Sequence, residues 1–118
     1  MLIQMLKAKL HRATLTQCEL NYAGSISIDR DLLDMAGILP FEKVLVVNQS
    51  NGQRLETYTI ESPRGSGEFC LNGAAARLGQ PGDTVTVMCF ALVSPEEAAS
   101  LHPTVVVLSD GNRRTEIL

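Results

Sequence analysis

Four short stretches of this chain carry residues with chemistry available to them. In LNYAGSISIDRDLL, Leu20 to Leu33, the pair Gly24-Ser25 interrupts an alternating run and raises the question of whether a glycine carbonyl is needed beside a serine hydroxyl. Taken alone the pair is a weak signal, because glycine at a strand entry is ordinarily a bend or bulge and the next serine a solvated hydroxyl. In RLETYTI, strand alternation puts Arg54, Glu56 and Tyr58 on one face, which suits a solvent-facing ladder and equally suits a guanidinium that grips a carboxylate beside a phenol that passes a proton. NGAAAR, Asn72 to Arg77, reads as a capped helix start whose small residues pack closely. The same geometry offers the free backbone N–H groups of Gly73, Ala74 and Ala75 to an anion or oxyanion. Lys9 beside His11 in KLHR is ordinarily an exposed strand face.

Metal and disulfide chemistry find little footing. Cys18, Cys70 and Cys89 are odd in number and lack C-x-x-C spacing, and His11 and His102 alone could supply imidazole. The cysteines read as small core or surface residues, and no metal site is expected.

The elements that must position these residues fit one domain of 118 residues with a single core. Hydrophobic residues make up 45% and aromatics only 4%, with no tryptophan, so the core must be built from Val, Ile, Leu and Ala. A formal charge of -3 and a pI near 5.3 disfavour the basic footprint of a phosphate-backbone binder, so nucleic acid is not an expected partner. The start, MLIQMLKAKLHRATLT, has neither the apolar run of a membrane span nor a signal-peptide pattern, and the cytoplasm is the expected compartment.

KLHRATLT alternates as a first strand, with Lys7, Lys9 and His11 on one face and Leu10 and Arg12 on the other. After SISI, Asp31 is the expected N-cap of a short helix ending at Gly37, and EKVLVVN reads as a buried strand. Asn51-Gly52 predicts a type I′ hairpin into QRLETYTI, and SPRGSG is a loop. An offset of 41 positions then matches Asp31 with Asn72, Pro40 with Pro81, Glu42 with Asp83, Val44 with Val85 and Val46 with Val87. Such a unit cannot close a core alone, but two copies interlocked about a pseudo-two-fold axis can, which favours a small closed β-barrel. Ser94-Pro95-Glu96-Glu97 has the capping-box pattern of a brief helix. TVVVLS then reads as a last strand or subunit contact, and the polar DGNRRTEIL as a tail that frays.

Together KLHR, NYAGS, NGQRLETY and LNGAAA resemble the pyruvoyl-dependent aspartate 1-decarboxylases, in register from Met1 to the helix at Pro95. Ala23 stands where that family commonly has an acidic residue, and Val47 where a tryptophan occurs. The resemblance implies a mainly β fold, a double-psi β-barrel with short helices, in a homotetramer. It implies conversion of L-aspartate to β-alanine and carbon dioxide for pantothenate synthesis, by a single domain spanning 1–118. Such enzymes make their own cofactor: the Ser25 hydroxyl attacks the Gly24 carbonyl, the chain splits into 1–24 (β) and 25–118 (α), and Ser25 becomes a pyruvoyl group that takes the substrate amine as a Schiff base. Glycine at 24 would tolerate strained dihedrals and leave the hydroxyl a clear path. The likeness nominates Tyr22, Thr57 and Asn72 to support processing, the Thr57 assignment needing a twist or bulge since alternation turns it away from Tyr58. Lys9, Arg54, Thr57, Gly73, Ala74 and Ala75 are nominated to bind substrate, Tyr58 to donate the proton, and His11 as a further candidate. No accessory maturation protein is indicated.

Two rival readings stand beside this one. SISIDRDLLDMAGILPFEKVLVV also resembles the swapped-hairpin barrel of bacterial transcription regulators, a binding module. Against it stand the acidic balance, the second copy of the pattern and the Arg54-x-x-x-Tyr58 and Asn72-Gly73-Ala74 segments. The other rival is a pyruvoyl enzyme for a different amino acid, since pocket depth around Arg54 depends on its placement in space.

Overall fold

The computed structural model describes residues 1–118. Short aliphatic alternations form β1 (Ile3–Thr14), β2 (Gln17–Glu19), β3 (Ser25–Asp29), β4 (Lys43–Asn48), β5 (Arg54–Ser62), β6 (Phe69–Asn72), β7 (Thr84–Val93), β8 (Thr104–Ser109) and β9 (Arg114–Ile117). Between them lie α1 (Arg30–Ala36), a 3₁₀ helix (Gly73–Leu78) and α2 (Pro95–Ser100). The strand order is β2-β6-β3-β5-β4-β7-β1-β8-β9. Because β1 runs directly into β2, one stretch of chain pairs with β7 on one side and with β6 on the other. Hydrogen bonds from Leu15 N to Asp83 O and from Thr16 N to Phe69 O, both 2.8 Å, stitch that junction and close the sheet into a small barrel.

Inward positions of the strands meet inside the barrel. Leu10, Leu15, Ile26, Ile28, Val44, Val46, Leu71, Val85 and Val87 are buried with Leu33 and Ile38, and Phe69 is the one aromatic ring among the fully buried side chains. The aliphatic core that the composition requires is therefore what forms, each such side chain contributing about 1.5–3 kcal/mol of burial.

The internal repeat is present, with β3, α1 and β4 answered by β6, the 3₁₀ helix and β7. Its caps fall differently from the sequence expectation. Asp29, not Asp31, caps α1: its carboxylate accepts from Asp31 N at 2.8 Å and also from Gly65 N at 3.1 Å and Gly67 N at 2.8 Å. The cap at Asp29 matches Asn72, a spacing of 43, while Pro40 still matches Pro81 at 41. The second copy is shorter because a 3₁₀ helix rises about 2.0 Å per residue against 1.5 Å for an α-helix, so fewer residues span the same gap. α1 ends as expected at Gly37, in the left-handed conformation, and Ser94 and Glu97 form the reciprocal capping box of α2.

Four further expectations are corrected. Arg12 does not share a face with Leu10: it has φ 61° at a bulge between Leu10 and Ala13, its amide donates to Thr86 Oγ1 at 3.1 Å, and its side chain is exposed. The loop after β4 is not a type I′ turn, since Gly52 has positive φ and Asn51 does not. Asn48 and Asn51 instead accept with their side chains from Ser50 N and Gln53 N, both at 2.9 Å, which stabilises a longer loop. β4 is buried on one face only, through Val44, Val46 and Asn48. Finally, TVVVLS is not the last strand, nor does the tail fray. β9 pairs with β8, and the buried Asn112 accepts from Thr14 N at 2.7 Å and donates to Thr14 O and Gly67 O, both at 2.8 Å.

Candidate functional site

Ser25 opens β3, and the antiparallel ladder with β6 sets it opposite Asn72, with Ser27 opposite Cys70. Alternation turns these four side chains to one side of the sheet. Ser25 is 1% exposed. Its Oγ accepts from Asn72 Nδ2 at 2.9 Å and donates to Ala23 O at 3.3 Å. Asn72 Nδ2 also donates to Ser27 Oγ at 2.8 Å, and Cys70 Sγ donates to Asn72 Oδ1 at 3.2 Å. Asn72 heads the 3₁₀ helix without capping it through its side chain, because that amide is engaged by the serines and the thiol.

The backbone before Ser25 is seated on Gly73. A Cβ there would lie 2.8 Å from Gly24 Cα and from Tyr22 O, and 2.9 Å from Gly24 N, and φ of Gly73 is +67°. Gly24 itself has no positive φ, and a Cβ on it would meet nothing within 4 Å. The reason offered for a glycine at 24, tolerance of strained dihedrals, thus applies to Gly73 in the uncleaved chain. Ala74 is exposed and Ala75 half-buried at the start of the same helix, while the Tyr22 ring is exposed.

A second group gathers elsewhere. Lys9, His11, Val47, Arg54, Thr86 and Met88 line a depression of about 350 Å³. Neither Lys9 nor Arg54 makes an ion pair with any residue of the chain. Burial, with Lys9 and Arg12 beside it, pushes the pKa of His11 below the usual histidine value, and its Nδ1 lies 3.3 Å from Thr86 Oγ1. Two unpartnered cations around a concavity suit a carboxylate ligand.

Arg54 lies on β5, the neighbour of β3, and Lys9 and His11 on β1 are brought to it across β7 and β4. β5 pairs with β3 through Ile26 and Thr59, so continuing that register sets Ser25 beside Tyr58, and Arg54 lies about 13 Å further along β5 at ordinary strand rise. Thr57 and Tyr58 keep to opposite faces, for the ladder with β4 runs from Lys43 opposite Tyr58 to Val47 opposite Arg54 without a bulge. Tyr58 is 37% exposed, its ring centroid 6.4 Å from that of Phe41. Ser27 and Cys70 are the partners that reading the sequence missed. Their signal was the two-residue spacing from Ser25 and from Asn72 on strands that alternate.

The fold and this cluster define a small closed β-barrel with an aliphatic core that carries a buried serine, Ser25, with an asparagine across the strand and a glycine packed on the preceding peptide. Residues 1–115 match the family described as Aspartate decarboxylase, and the chain belongs to that family. Similar proteins named Aspartate 1-decarboxylase include those of Bacillus cytotoxicus, 58% identical, Bacillus cereus strain B4264, 56% identical, and Bacillus thuringiensis strain Al Hakam, 55% identical. Each alignment covers 97% of this chain and 90% of the relative. The likeness to transcription regulators spans only Ser25 to Val47, one half of the repeat. No helix is long and apolar enough to cross a membrane.

Proposed function

We propose that this chain is a self-processing aspartate 1-decarboxylase, which releases β-alanine and carbon dioxide from L-aspartate for pantothenate synthesis in the cytoplasm, as a homotetramer. The observation that carries the reading is the buried Ser25 hydroxyl held 2.9 Å from Asn72 Nδ2, next to a Gly24 on which Gly73 packs without a side chain between them. Relatives of the same name at 55–58% identity supply the substrate.

These residues fit a pyruvoyl group made from Ser25. Ser25 Oγ attacks the Gly24 carbonyl carbon, the C–N bond breaks, and the peptide becomes an ester with a free amine on residue 25. Loss of the Ser25 α-proton then expels the Gly24 carboxylate, and hydrolysis of the dehydroalanine releases ammonia. The Tyr22 hydroxyl is the nominated donor for the oxyanion of the first step; Asn72 spends its amide N–H groups on Ser25 and Ser27, and Thr57, on the face away from Tyr58, would need a twist that the ladder with β4 lacks. When formed, the group supplies a ketone for the substrate amine and an electron sink for the pair left by carbon dioxide. Arg54, with Lys9 adding positive charge and His11 beside it, holds the side-chain carboxylate of aspartate through a planar fork. The N–H groups of Gly73, Ala74 and Ala75 hold the other carboxylate, and the Tyr58 phenol delivers a proton to carbon. Since Arg54 and Ser25 stand apart in one chain, a neighbouring copy brings its Arg54 group to this Ser25.

Denaturing intact-mass spectrometry tests the reading. Two fragments divided between Gly24 and Ser25 are expected, the larger lighter by one ammonia than hydrolysis of that bond would leave it. Ser25→Ala stays one chain and is inactive. A folded, active and uncleaved protein would overturn the assignment.

A further inference from the structure

Cys70 has no part in the chemistry above, yet it is 3% exposed and points its sulfur at the side chain that holds Ser25. An amide such as that of Asn72 occupies nearly the same space with its oxygen and nitrogen exchanged, so its neighbours decide which end faces which group. Toward Ser25 and Ser27 either end would serve, because a hydroxyl both donates and accepts. The thiol breaks the tie. Burial, with Glu68 next in effect, pushes the Cys70 thiol up to about 11, so it keeps its proton at neutral pH and is a donor. Asn72 Oδ1 at 3.2 Å is its nearer acceptor, with Leu71 O at 3.8 Å.

We infer that Cys70 is a positioning residue for self-cleavage: by donating to Asn72 Oδ1 it fixes the amide with both N–H groups toward Ser25 and Ser27. One lone pair of Ser25 Oγ is then engaged by Asn72 Nδ2, its proton is directed at Ala23 O, and a second lone pair remains for the Gly24 carbonyl carbon. With the amide reversed, Ser25 would donate to Asn72 Oδ1, and its proton and lone pairs would turn to the wrong sides. Ser27 uses the second N–H, so the amide has no spare donor with which to compromise.

The inference rests on the reading that the chain cleaves itself, and one experiment separates the two. Freshly synthesised full-length wild type, Cys70→Ser and Cys70→Ala are followed over time by denaturing intact-mass spectrometry, with thermal unfolding of each precursor alongside. Cys70→Ser keeps a donor and is expected to cleave within about threefold of wild type, while Cys70→Ala is at least about tenfold slower, the scale of one lost hydrogen bond in a barrier. Where Cys70→Ala fails to fold, Cys70→Val fills the site without a donor and is expected to be equally slow. A wild type that does not cleave overturns the self-processing reading and the inference with it. A wild type that cleaves, with the alanine and valine variants at its rate or the serine variant as slow as alanine, overturns the role of Cys70 alone.

Discussion

A methyl group at position 73 would sit 2.8 Å from the Cα of Gly24 and from the carbonyl oxygen of Tyr22, both backbone atoms that cannot swing aside. It would also force an L side chain into a left-handed φ, at a cost of about 1–2 kcal/mol. Gly73→Ala therefore displaces the peptide that Ser25 is proposed to attack, and misplacement of a reacting group by an ångström costs about a hundredfold. Intact mass is expected to show self-cleavage slowed by at least that factor. Gly24→Ala is the contrast: its Cβ points into open space, and the variant is expected to fold and cleave within about tenfold of wild type, roughly 1.4 kcal/mol of barrier. Reversal of that order would show that freedom at residue 24 itself governs the acyl shift.

At the scale of elements, the barrel depends on side chains that bond backbone where two strands or loops meet. Asn112, in the turn between β8 and β9, satisfies both polar groups of Thr14 and the carbonyl of Gly67, so one buried amide joins the end of β1, the loop before β6 and the last hairpin. Asn112→Ala leaves those three groups unpaired and is expected to cost about 3 kcal/mol in denaturant unfolding. Amide exchange in β9 should rise more than in β3 or β6. Uniform loss of protection across all strands would mean that the hairpin is no separate unit but part of the global unfolding transition.

At the scale of the molecule, the cationic depression around Arg54 and the serine cluster lie on different parts of one barrel, and Leu2, Ile3, Phe41, Phe90, Leu92 and Ile117 stand exposed on its surface. Under the proposed reading, self-association would cover such residues and set an arginine of one copy against a serine of another. Ser25→Ala and Arg54→Ala chains, each inactive alone, are expected to recover activity when co-expressed with separate tags and purified as mixed oligomers. Random mixing gives about a quarter of the wild-type rate, half of the intact serines facing half of the intact arginines. Mixed oligomers without activity would place the whole site inside one chain.

The sequence by itself determined what is local. Alternation marked β1 and β5, apolar runs marked β4 and β8, the capping box marked α2, the left-handed stop at Gly37 ended α1, and the two-copy pattern pointed to a closed barrel, because periodicity and caps are set by neighbours within a turn or two. The functional residues were named as types in stretches, with Gly24-Ser25 too brief to interpret without its family resemblance. Tertiary structure alone decided which of them meet. Ser25 and Asn72 are joined by the ladder between β3 and β6, Gly73 reaches Gly24 only through that register, and Lys9 comes to Arg54 across β7 and β4. The shift of the cap from Asp31 to Asp29 was decided there as well, since the amides of Gly65 and Gly67 arrive from a distant loop and draw the carboxylate to the strand end. Cross-strand partners are fixed by hydrogen bonds between segments far apart in the chain, and no window along the sequence contains both sides of the pair.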